Sequence, residues 1–187
     1  MAQFCRYYSQ KDFNIKNILK TMANKLKNLE DLFKHELKDL YSAETQILEA
    51  LPKMAEKASN PDLKKAFEHH LEETKNQKKR IEEVCKKLDF DPKGETCKAM
   101  KGIIKEAEDM LKEDADPEVM DAALIAEAQR VEHYEMAGYG TVCTYAERLG
   151  YNDIKNKLAE TLEEEKNADN TLNKVSKNVN AKAEASH

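Results

Sequence analysis

The chain has 187 residues, 36% charged and only 6% aromatic, with Gly 5, Pro 4 and no Trp, a composition that suits long helices and excludes a sandwich or barrel. The length gives one domain able to bury a core without disulfide or metal staples, and the formal charge of −5, with Lys and Glu interleaved, excludes a basic nucleic-acid footprint. No apolar run approaches the ~20 residues of a membrane span, and the cysteines Cys5, Cys85, Cys97 and Cys143 form no CxxC pair, which fits a reducing compartment; the expected setting is the cytoplasm.

Residues 1–24 carry few acids and are expected to form an N-terminal extension outside the fold. Residues 25–178 then read as an all-α bundle. A first helix is predicted over about 28–58. "SNPDL" follows, where Asn60 can cap and Pro61 suits a first turn, starting a second helix over about 61–88. Pro92 and Gly94 in "DFDPKG" mark a loop, and a short amphipathic segment over about 95–112 ends at "DADP". A third long helix starts near Pro117 and stops at Gly150, and a fourth begins near Asn152 and fades into a polar tail, residues 179–187.

The two halves repeat. At an offset of 91 without gaps, "NPDLKKAF" meets "YNDIKNKL", "LEETKN" meets "LEEEKN", and Glu44 falls on Glu135. Each half is thus a helical hairpin, with Glu44 and Glu73 in one and Glu135 and Glu164 in the other. Two such hairpins joined by a crossover that carries its own short helix make a four-helix bundle with one long connection.

The seam spacing gives these acids a place. Phe33, Leu37, Leu40, Glu44, Ile47 and Leu51 recur at fours and threes, as do Leu124, Ala128, Val131, Glu135 and Val142, with Glu132 one turn before Glu135. In the second helix Ala66, His70, Glu73, Gln77 and Ile81 share a face; in the fourth, Leu158, Thr161, either Glu164 or Glu165, and Leu172 do so. Four inward carboxylates without compensation would repel and resist ionisation. No seam Lys or Arg is evident, whereas two bridged iron or manganese ions would compensate them. The candidate ligands are Glu44, Glu73, Glu132, Glu135 and Glu164, with His70, Gln77 and Asp169 as supplements; His133 is expected to hydrogen-bond beside the site.

The stretches "DLYSAETQILEALPKMA", "HLEET", "DAALIAEAQRVEHYEMAGYGT", "AERLGY" and "TLEEEK" resemble the YciF-like stress-response proteins of the ferritin-like superfamily. The resemblance implies a rubrerythrin-like bundle, a homodimer and a di-iron or related dinuclear site. One departure stands out: three residues after Glu73 and Glu164, where that superfamily usually carries His, this chain has Asn76 and Asn167. The expected function is iron or peroxide handling under stress, and the expected chemistry is of the di-metal oxidase or peroxidase kind. The alternative is a non-catalytic helical protein that binds partners or oligomerises and keeps a relic site.

Overall fold

The computed structural model describes residues 26–185, so the expected extension over residues 1–24 lies outside the described residues. Five helices follow in order: α1 (Leu29–Lys57), α2 (Pro61–Lys87), α3 (Lys98–Met110), α4 (Pro117–Arg148) and α5 (Asn152–Glu184). Among the described residues there is no strand.

Local chemistry sets the helix ends. The Asn28 side chain accepts from the Asp31 amide at 2.8 Å, and Glu30 and Asp31 place acids against the positive end of the α1 dipole. Asn60 caps α2 through the amides of Asp62 and Leu63, with Pro61 in the first turn, where its missing N–H costs nothing. Gly150, at φ 78, closes α4, and the Tyr151 amide reaches back to the Ala146 carbonyl at 2.9 Å. Pro52 lies inside α1, where it removes a backbone bond, yet the helix continues because Leu51, Met54 and Ala55 on either side are buried.

The hairpins α1–α2 and α4–α5 pack through α1 against α4 and α2 against α5, while α3 lies across α1 and α4. Both cross-hairpin pairs are antiparallel. Asp121 near the start of α4 meets Ser59 just beyond α1, and Tyr139 meets Glu44; Lys87 at the end of α2 meets Asp153 at the start of α5. α1 and α4 approach closely at Gly138, where an added Cβ would stand 2.7 Å from Leu40 Cδ2. The buried Asp121 carboxylate accepts from the Ser59 amide at 2.8 Å, the Ser59 hydroxyl at 2.6 Å and the Asn60 amide at 2.8 Å, pinning the α1–α2 corner to α4.

Two apolar cores form. One gathers Ile47, Leu51, Phe67, Met100 and Leu124; the other gathers Phe33, Leu37, Ile81, Val142 and Leu158. α5 runs as helix through residues 179–184, where the sequence predicts a polar tail, and Val179 is buried there. The reason is periodicity: Leu158, Thr161, Glu165, Leu172 and Val179 continue one inward stripe.

Candidate metal centre

Between the two apolar cores lies a layer of buried polar side chains. α1 supplies Glu44, α2 supplies His70, Thr74 and Gln77, α4 supplies Glu132 and Glu135, and α5 supplies Thr161 and Glu165. Spacings of three and four stack each set on one helix face, so every helix of the bundle points polar groups at the same level. His70, Glu132, Glu135 and Glu165 each bring a ligand atom into a group whose members lie within 4.8 Å of one another. His70 Nε2 stands 3.7 Å from Glu132 Oε1 and 3.9 Å from Glu165 Oε2.

The predicted residues divide. Glu44, Glu132, Glu135, His70 and Gln77 meet in this layer. Glu73 does not: it is half-buried at the rim, 3.3 Å from His69 Nε2 and 3.7 Å from His70 Nδ1. Glu164 is also at the rim, held by both terminal nitrogens of Arg80 at 2.5 and 2.6 Å and by Gln77 Nε2 at 3.1 Å. Glu165, one position on, is the inward acid of α5, and Thr74 holds the matching place in α2. An alternation of fours and threes, 63, 67, 70, 74, 77, 81 and 154, 158, 161, 165, the latter continued at sevens by 172 and 179, selects these residues. Asp169 accepts from Gln129 at 3.0 Å and lies 3.6 Å from an exposed His133, outside the group. Arg80, absent from the sequence-based expectation, reaches inward to Thr161 at 3.1 Å.

Burial governs the electrostatics. It pushes Glu135 and Glu165 well above the usual carboxylate range, and neighbouring acids push the same way. Burial likewise raises Glu44 to about 7, although Tyr139, which donates to Glu44 Oε1, draws it back. Burial lowers the His70 pKa, but Glu132, Glu73 and Glu44 outweigh it and bring the imidazole up to about 9. Gln77 Nε2 donates to Glu165 Oε1 at 2.5 Å. Glu44 Oε2, both His70 nitrogens, Glu132 Oε2, both Glu135 oxygens and Glu165 Oε2 have no hydrogen-bond partner. Each such atom costs ~1–3 kcal/mol, so a cluster of them within one layer calls for a ligand that satisfies several at once. A donor set of carboxylate oxygens and one imidazole nitrogen fits a divalent cation of the manganese or iron type.

Residues 28–184 match the domain of unknown function DUF892. The chain belongs to this YciF-like family. Protein YciF of Escherichia coli (strain K12) is 49% identical over 161 residues, covering 85% of this chain and 97% of that protein. The crystal structure of the E. coli stress protein YciF matches with a TM-score of 0.81 at 47% identity, over 84% of this chain and 99% of that one. YcfI from Rhodopseudomonas palustris matches at 0.77 and 49% identity, over 80% of this chain and 96% of that one. A Xanthomonas campestris protein at 17% identity shares the fold, with a TM-score of 0.67 over 82% of this chain and 94% of that one. No helix among the described residues is long and apolar enough to cross a membrane.

Proposed function

We propose that this chain is a ferritin-like stress-response protein whose bundle interior binds iron or manganese and so handles iron or peroxide. The observation that carries the reading is the set of unpartnered carboxylate and imidazole atoms of His70, Glu132, Glu135 and Glu165, converging inside an otherwise apolar bundle. These four would hold the cation, and Glu44, whose carboxyl interacts with that of Glu135, stands beside them. A bound iron or manganese ion supplies Lewis acidity and one-electron redox chemistry. The chain's own residues prepare the place. Gln77 orients Glu165, Tyr139 fixes Glu44, and the apolar cores on either side exclude bulk water. Access is provided by a pocket between α2 and α5 that leads past His69 and Glu73 to His70 and Glu132. The reading includes the homodimer and the cytoplasmic setting expected from the sequence.

Metal analysis of protein purified without chelator, followed by titration with ferrous or manganous ion, tests this reading. The wild-type chain is expected to retain metal and a Glu44→Ala/Glu135→Ala variant to lose it. Equal uptake by the two, with a melting temperature indifferent to chelator, overturns the reading in favour of the non-catalytic, partner-binding one.

A further inference from the structure

The two halves of the bundle are related by the 91-residue repeat, so each residue around the pocket between α2 and α5 has a counterpart on the opposite side. The first side is open. It is lined by His69, His70, Glu73, Glu132, Ala168 and Thr171, of which His70 is buried with both ring nitrogens unpartnered. On the opposite side the counterparts of these six are Glu160, Thr161, Glu164, Tyr41, Gln77 and Arg80.

The exchanges change both bulk and ligand chemistry. Small Ala168 and Thr171 become long Gln77 and Arg80, which fill the space. Arg80 bonds Thr161 at 3.1 Å and Glu164 at 2.5 Å and lies 3.7 Å from Glu160, which are the counterparts of His70, Glu73 and His69. Its guanidinium therefore lies among the residues whose repeat-mates line the open pocket. The ligands of that side are also poorer. A hydroxyl replaces the imidazole of His70, Thr74 replaces Glu165, and the Tyr41 phenol, donating to Glu82 at 3.1 Å, replaces the Glu132 carboxylate.

We propose that the centre is mononuclear by construction: one divalent cation binds at His70, Glu132, Glu135 and Glu165, and the Arg80 guanidinium takes the place of a second. The inference rests on the metal-binding reading above and departs from the dinuclear form that the resemblance implies. The guanidinium stays charged at any physiological pH and donates in a fixed fork. It therefore permanently neutralises Glu164 and Glu160, the acids that flank the closed side, whereas the buried acids of the open side depend on a cation that can come and go.

Manganese provides the test, by equilibrium dialysis and electron paramagnetic resonance of the full chain. The expected result is one equivalent per chain and a six-line signal of an isolated ion at every loading. Two equivalents of similar affinity, or a spin-coupled signal, overturn the mononuclear assignment while leaving metal binding intact. Absence of binding removes both this assignment and the metal-binding reading. An Arg80→Thr/Tyr41→Glu variant, which gives the closed side what the open side carries at 171 and 132, is expected to take up a second equivalent at least about tenfold more weakly. A folded variant that still takes up one equivalent shows that Arg80 is not what excludes the second ion.

Discussion

Replacing Glu135 by Leu is expected to stabilise the metal-free protein and to abolish its response to metal. Glu135 is fully buried, neither carboxylate oxygen has a hydrogen-bond partner, and burial together with Glu44 and Glu132 resists its ionisation. Removing an unsatisfied buried carboxyl recovers ~1–3 kcal/mol, and a leucine of similar volume adds apolar contact with the core. Glu44 loses a neighbour in the exchange, but Tyr139 still donates to it, so the net gain lies within that same range. For a chain of this size about 1–3 kcal/mol corresponds to a rise of about 2–12 °C in melting temperature. The assay is thermal unfolding followed by circular dichroism, in chelator and in manganese at a hundredfold excess over its dissociation constant. The wild-type protein should gain about 2.7 kcal/mol from the metal and the variant nothing, so the stability order narrows or reverses between the two buffers. A variant that melts below wild type in chelator refutes the argument, because Glu135 would then have to be a satisfied structural group.

Three further outcomes follow from the same geometry. Glu165→Gln should weaken manganese binding by about 10- to 100-fold, whereas Glu164→Gln, altering a residue paired with Arg80, should change it by less than about threefold; equal losses in a titration would mean that both acids reach the metal. In chelated protein Glu44 titrates near 7 and His70 near 9, both above their ordinary values of 4.5 and 6.5, and Glu135 and Glu165 are raised as well. The native state therefore holds more protons than the unfolded chain across that window, so the urea midpoint should fall as pH rises from about 5 to about 8.5, and a rising midpoint would contradict the assignment. Asp121→Ala leaves three donors at the α1–α2 corner without their acceptor and should cost ~2–4 kcal/mol in urea unfolding, with manganese stoichiometry unchanged in the folded fraction.

Much of this was legible in the sequence, and the limits have a simple geometry. The helices, their breaks at Asn60–Pro61 and Gly150, and the repeat that pairs Glu44 with Glu135 rest on local signals: caps, turn residues and apolar spacing. In α1 and α4 the apolar stripe is dense on both sides of the acid, so the phase is unambiguous and Glu44 and Glu135 lie inside. In α2 and α5 the stripe is sparse and Glu73–Thr74 and Glu164–Glu165 are adjacent pairs about 100° apart round the helix, so either member can be placed near the seam. Which one turns inward was decided by packing across the bundle: Arg80 holds Glu164 at the rim, while Gln77, which donates to both acids, closes on Glu165 at 2.5 Å against 3.1 Å for Glu164. The asymmetry between the two sides is likewise tertiary. The sequence shows no Lys or Arg on the seam, and only the antiparallel approach of α5 brings Arg80 to Thr161, because a long flexible side chain goes where a buried acceptor and an acid on a neighbouring helix make its desolvation tolerable.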